Sequence, residues 1–280
     1  MPTCLSACLL TPPPLAPVRA IAWSQPLVWL RRAVQDMAAS PLLSLAHGLV
    51  LILIGTAILT LGHNRFWLMA GALSGFLVVG PVVATSLYAI SRALERGERA
   101  DLALVGKTWT QWQNGHGAGQ GGYWCLVRFG LLLALAATGW VLVSASLIKI
   151  MSPIAIETPA DFVRHVVLAP DGQLFALWMA LGSFLAAPIF ASSVVAMPLM
   201  LDRRVTVRQA VLTSWSVVLA NPGPLALWAA LIVLLTLLGL GTYLLGLVIV
   251  MPVLGHASWH AYRDLVDASV FPARDARPPA

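Results

Sequence analysis

Three prolines, Pro81, Pro188 and Pro252, lie inside long apolar runs, and each is followed four residues later by a polar side chain: Thr85, Ser192 and His256. Ser86 and Ser193 stand beside the first two. A proline in a helix removes the hydrogen bond to the carbonyl four residues earlier, here Leu77, Phe184 and Val248. If the three segments face one another, these groups and the freed carbonyls line one polar site. The competing reading is local hydrogen bonding inside kinked helices, which membrane helices use routinely. His47 and His260 add two more imidazoles, and His260 shares a helix face with His256 at i, i+4. Imidazoles so placed could bind a transition metal or haem, or titrate near neutral pH. No Cys, Asp or Glu accompanies them at ligand spacing, so neither a metal nor a cofactor is expected. No Asp or Glu falls within any long apolar run, which weighs against a proton- or cation-coupled carrier. Gly117-Ala118-Gly119-Gln120-Gly121-Gly122 fits G-x-G-x-x-G, but it follows no strand and reads as a flexible linker.

The elements that must hold these residues are set by the composition. The chain has 280 residues, 59% hydrophobic and 10% charged, against roughly 25% charged for soluble domains. Lipid is therefore the expected solvent. The net charge of +6 comes from basic residues scattered between apolar runs, a pattern of membrane topology rather than nucleic-acid binding. Three cysteines, Cys4, Cys8 and Cys125, make no disulfide framework. Arginine outnumbers lysine fifteen to two, a hint of a GC-rich bacterial source. Leu5-Ser6-Ala7-Cys8 has the spacing of a lipoprotein cleavage box, yet no basic residue and no sufficient apolar stretch precede it, so residues 1–26 read as a disordered Pro-rich leader.

A membrane helix needs about 20 apolar residues. Residues 41–61, 66–90, 124–148 and 174–200 meet this. A further uncharged run over 225–254 is too long for one span, and Gly239 and Gly241 suggest a tight turn between spans at 222–240 and 242–262. With six spans and the N-terminus inside, 14 basic residues fall inside and 3 outside; five spans give 11 against 6. The positive-inside rule therefore favours six, with both termini cytoplasmic in a bacterial inner membrane. Before each odd span lies an amphipathic stretch: Leu27, Leu30, Val34 and Met37; Leu102, Val105, Trp109 and Trp112; Val207, Val211, Trp215 and Val218. The expected fold is all-α, three hairpins each preceded by an interfacial helix, with an integral membrane domain over 27–268 and a disordered tail over 269–280. Gly71 and Gly75, and the ladder Ser183, Ala187 and Ala191, favour close helix packing. The charged run from Arg92 to Arg99 reads as a helix end anchored at anionic headgroups.

GFLVVGPVVATSLYAISRALERGE (75–98), LGHASWHAYRDLV (254–266) and WLRRAVQDMAASPLLSLAHG (29–48) resemble the bacterial integral membrane family called domain of unknown function 2189, over about residues 27–267. The resemblance implies a multi-span inner-membrane protein. Some members carry a label of cytochrome c oxidase subunit, but that core needs an array of placed histidines, and this chain has six, three of them in loops. Three functions remain open: a non-catalytic scaffold or assembly factor, favoured because nothing demands chemistry; a permease or channel for a small or lipophilic solute; and a haem- or metal-binding membrane protein. The expected partners are the lipid bilayer and other membrane proteins.

Overall fold

A computed structural model describes residues 15–62, 66–78, 80, 84–110 and 124–274, and within them the chain is helical. In chain order the helices are α1 (Gln25–Ala39), α2 (Pro41–Gly62), α3 (Phe66–Val78), α4 (Thr85–Glu95), α5 (Leu102–Thr110), α6 (Trp124–Met151), α7 (Pro159–Phe162, continued as a π-turn over Val163–Val167), α8 (Gln173–Ser193), α9 (Ala196–Asp202), α10 (Val207–Ala220), α11 (Pro222–Gly241) and α12 (Leu247–Leu265). Four stretches are long and apolar enough to cross a bilayer: Pro41–Leu61, Cys125–Met151, Gln173–Asp202 and Pro222–Gly241.

The last apolar run does divide into two helices, but not at the glycines. Helix α11 continues through Gly241, and the reversal falls at Tyr243 and Leu244, both with left-handed backbones (φ 55° and 72°). The glycines act by close approach instead: a Cβ on Gly246 would lie 2.9 Å from the Gly239 Cα. Helix α12 is the hub, packed along α1, α2, α4 and α11. It combines Pro252, His256, His260, Arg263 and Asp264 with a buried apolar face of Ala257, Trp259, Ala261 and Tyr262. His256 is fully buried, and His260 and Asp264 bond to α1.

The three amphipathic stretches are all helices, α1, α5 and α10; Trp112 lies outside the described residues. On α1 the apolar stripe is divided: Leu30 and Met37 pack against the core, and the rest does not. Leu27 and Val34 are exposed, whereas Trp29 and Ala33 are fully buried. Trp29 meets Trp228 of α11 edge-on, with ring centroids 5.6 Å apart, a contact worth about 0.5–1.5 kcal/mol beyond its area.

Both segments expected to be disordered are packed over part of their length. Val18 pairs antiparallel with Val266, and Arg19 N–H donates to the Leu265 carbonyl (2.9 Å). Asn221 holds the same segment, accepting from Ile21 N–H (2.9 Å) and donating to the Arg19 carbonyl (3.1 Å). At the other terminus Arg203 pairs with Ala273, and Phe271 is buried. Neither segment shows a helical or strand period, because their order comes from backbone hydrogen bonds, which carry no hydrophobic period.

The two ends of the bundle differ. One end gathers the carboxylates Asp36, Glu95, Asp202, Asp264 and Asp267 with their arginine and histidine partners. Another cluster joins Phe66, Trp67, Phe162 and Trp178, with Trp178 donating to Ser144 Oγ (2.6 Å). Aromatics of this kind suit a membrane–water boundary.

Candidate functional site

Helices α1 and α12 run antiparallel, and their facing residues form a polar ladder. Asp264 accepts from Gln25 Nε2 (2.6 Å), Trp29 Nε1 (2.9 Å) and Arg32 Nη1 (3.1 Å). One helical turn back along α12, His260 Nε2 meets Asp36 Oδ2 at 2.9 Å. The positions 25, 29, 32 and 36 follow the helical period of α1, so a single face carries the whole set.

The ladder continues inward. Ser91 of α4 donates to Asp36 Oδ2 (2.6 Å) and contacts His256 Nδ1 (2.7 Å). His256, wholly buried, contacts Ser44 Oγ of α2 through Nε2 (2.9 Å), and Ser44 reaches the Ser40 carbonyl at 2.8 Å. Burial works to raise the Asp36 carboxyl, but the hydrogen bonds from His260 and Ser91 and the field of the two histidines outweigh it. The group is held below its ordinary value of 3.8. An ionised Asp36 only accepts. Ser91 therefore spends its one proton on Asp36 and must accept from His256 Nδ1–H. At the far side, Ser44 has one proton for two acceptors, the Ser40 carbonyl and a bare His256 Nε2. The neutral imidazole takes that proton; the imidazolium returns it to Ser40.

A second pair lies beside the first. His47 of α2 contacts its own Leu43 carbonyl through Nδ1 (2.7 Å) and Ser86 Oγ of α4 through Nε2 (2.6 Å). Thus His47, Ser86, His256 and His260 are all engaged where α1, α2, α4 and α12 meet. Ser192 is not: its Oγ accepts from Trp215 Nε1 of α10 (2.9 Å). Ser193 donates back to the Ile189 carbonyl (2.8 Å). Thr85 is buried on α4. The hydrogen bonds thus take Ser192, Ser193 and His256 to different partners.

Of the prolines, Pro188 and Pro252 lie within continuous helices, and Pro81 falls outside the described residues. The carbonyl freed by Pro252, that of Val248, faces Gly48 so closely that a Cβ there would overlap it. Close approach of α2 and α12 at this glycine is what brings Ser44, one turn away, to His256.

Asp36, Ser44, Ser91 and Asp264 were not singled out by sequence. His260 does have an acidic partner, but it comes from α1, 224 residues away in the chain. The only available signal was the polar face of α1 itself, Gln25, Trp29, Arg32 and Asp36, opposite the more conspicuous apolar stripe. Among the described residues no three His, Cys, Asp or Glu side chains stand together as a metal site.

Residues 68–202, covering α3 to α9, match the family described as "Predicted integral membrane protein (DUF2189)". The motif at 75–98 lies inside that match, and the motifs at 29–48 and 254–266 lie outside it. Over this segment the chain is similar to that integral membrane family, and the long apolar helices within and beside it have the length and composition to cross a membrane. No curated protein matches the chain, and no solved structure does.

Proposed function

We propose that this integral membrane protein is a non-catalytic scaffold or assembly factor, in which the cluster at Asp36, Ser44, Ser91 and His256 ties the interfacial helix α1 to the transmembrane bundle. One observation carries the reading: the buried imidazole of His256 is engaged through both ring nitrogens, and the groups it touches are themselves bonded within the chain. A substrate or metal site keeps at least one position open for its ligand. A structural tie closes them all, since an unpaired buried polar group costs about 1–3 kcal/mol.

The same reading places six helical units in the membrane. The expected spans at 66–90 and 242–262 complete the four long apolar helices, and the basic residues, 14 against 3, favour both termini in the cytoplasm of a bacterial inner membrane. The interfacial helices α1, α5 and α10 would then present their exposed faces to headgroups and to other membrane proteins.

A permease for a small or lipophilic solute is the alternative, favoured by the proline-bearing helices Pro188 and Pro252. It requires the Ser44–His256 bonds to open during a transport cycle. Reconstitution separates the two. The scaffold reading expects proteoliposomes to leak no faster than empty vesicles over a panel of small neutral, anionic and lipophilic solutes, and a defined membrane-protein partner to cross-link to α1, α5 or α10 in native membranes. Solute flux abolished by His256→Ala would overturn it.

A further inference from the structure

The carboxylate-rich end holds a cleft whose composition the tie described above does not use. Helices α4, α9 and α12 bring their C-terminal ends together there, and the cleft between them has a volume of about 220 Å³, lined by Arg92, Glu95, Arg96, Asp202, Arg203 and Arg263 over the ring of Trp259. Asp202, only 3% exposed, is the floor: it accepts from Tyr262 Oη (2.8 Å) and Arg203 Nε (2.9 Å), with Arg92 and Arg96 at 3.8 and 3.7 Å. Glu95 accepts from Trp259 Nε1 and Arg263 Nε, both at 2.9 Å. A second cleft of about 210 Å³ shares Arg203 and Arg263 and adds Arg19, Asp267 and Ser269.

Three helix C-termini account for part of this basic charge, since each carries roughly half a negative charge before screening. They do not account for all of it: four guanidinium groups face two carboxylates, with Arg92 Nη1 also donating to the Leu201 carbonyl (3.5 Å) and Arg203 Nη1 to the Phe271 carbonyl (3.1 Å). The signs are also layered: the buried charge is the Asp202 carboxylate, whereas Arg96 and Arg263 stand at the mouth with side chains 37 and 38% exposed. What the cleft offers outward is a fan of planar donors, the geometry that matches a phosphate's oxygens.

We infer that this cleft binds a phosphate-bearing anion, and its surroundings favour the phosphodiester headgroup of an anionic lipid. Helix α5 packs on α4 and helix α10 on α9, and both expose apolar side chains, Leu102 and Trp109 on one, Trp215 and Leu219 on the other. The two helices that deliver Arg92, Arg96 and Asp202 are thus flanked by surfaces suited to the headgroup layer. Basic pockets between helices at the headgroup layer are where anionic headgroups dock. The inference rests on the interfacial placement of α5 and α10 proposed above, and not on the closed tie at His256.

The test uses the full chain in an uncharged detergent, offered equal amounts of phosphatidylglycerol and phosphatidylcholine, with retained lipid counted by native mass spectrometry. In a parallel arm the shift in melting temperature is followed during titration with inorganic phosphate. Wild-type protein should retain phosphatidylglycerol selectively. That preference should fall about fivefold in Arg96→Gln and about twenty-fivefold in Arg96→Gln/Arg263→Gln. Arg31→Gln, at an exposed position on α1, should leave it unchanged. The single variant, at the mouth of the cleft, keeps the test usable if the double variant fails to fold. A phosphate-induced shift lost in the same variants, without lipid preference, would keep the oxyanion site and assign it to a soluble phosphate. Equal retention of the two lipids with no variant-sensitive phosphate shift would overturn the inference, as would a lipid preference that both variants keep.

Discussion

His256 cannot be read as an isolated intramembrane imidazole, because each of its nitrogens ends on a serine that has another obligation. Removing it leaves Ser44 and Ser91 short of a partner and opens a cavity between α2, α4 and α12. His256→Ala is therefore expected to cost about 2–4 kcal/mol, and Ser192→Ala, whose bond to Trp215 is exposed, less than about 1 kcal/mol. Thermal unfolding of the two variants in the same detergent checks the order; equal losses would deny His256 its structural role. Asp36 gives a second expectation with a definite sign. Its carboxyl is held below 3.8 in the folded protein, so the unfolded chain takes up its proton first as acid is added. The stability Asp36 contributes is complete above pH 3.8 and is lost as the pH falls through the lower folded value. Asp36→Asn should flatten the decline in stability across that acid range; an unchanged acid profile would mean that the carboxylate is not what holds His260 and Ser91. His256 and His260 could be picked out from the sequence as a facing pair. Their partners could not, because a serine or aspartate in contact across 55 to 224 residues leaves no local spacing to read.

The helices themselves were legible where one physical signal dominated. Apolar runs of span length became α2, α6, α8 and α11, and 3.6-residue periodicity marked α1, α5 and α10. What periodicity could not say was which side of α1 faces the protein. Leu27 and Val34 of its stripe turn outward while Leu30 and Met37 pack inward, and a mixed face of Trp29, Ala33 and Asp36 packs on α12. An apolar stripe marks one face of a helix but not how far protein packing extends around it. The turn after α11 was misplaced for a related reason: Gly239 and Gly241 invite a turn by their freedom, yet Gly239 serves to let Gly246 and Leu247 approach. Gly48 tests the importance of such approach at the site. Its hypothetical Cβ meets backbone, the Val248 carbonyl and a Cα at 2.6 Å, and not the yielding end of a side chain. Gly48→Ala should push α2 from α12, lengthen Ser44–His256 and destabilise by about 1–3 kcal/mol. Gly106→Ala, on a helix with open space at that position, should be neutral or slightly stabilising. Equal melting temperatures for the two would show that α2 and α12 are not in close contact.

For the molecule as a whole, the match of residues 68–202 to an integral membrane family and the four long apolar helices agree with a composition that is 59% hydrophobic. The six-span arrangement makes its own forecast: a reporter fused after Ala280 should be active in the cytoplasm, and one inserted within 157–164 on the opposite side. A C-terminal reporter active outside would require an odd number of spans. The central claim, however, is that the cluster around His256 is a closed tie and no path for a solute. Ser44 is the place to ask, since it is fully buried against His256 between α2 and α12. The measurement is the reactivity of Ser44→Cys toward a membrane-impermeant maleimide applied from either side of the membrane, with Cys4, Cys8 and Cys125 replaced by serine and Ala38→Cys, at an exposed position on α1, as the reference. A closed tie predicts that Cys at position 44 stays unlabelled from both sides until the protein is unfolded, while Cys at position 38 reacts freely. Labelling at position 44 in the folded protein, at a rate approaching that at position 38, would contradict the account and turn attention to a path that opens through the cluster.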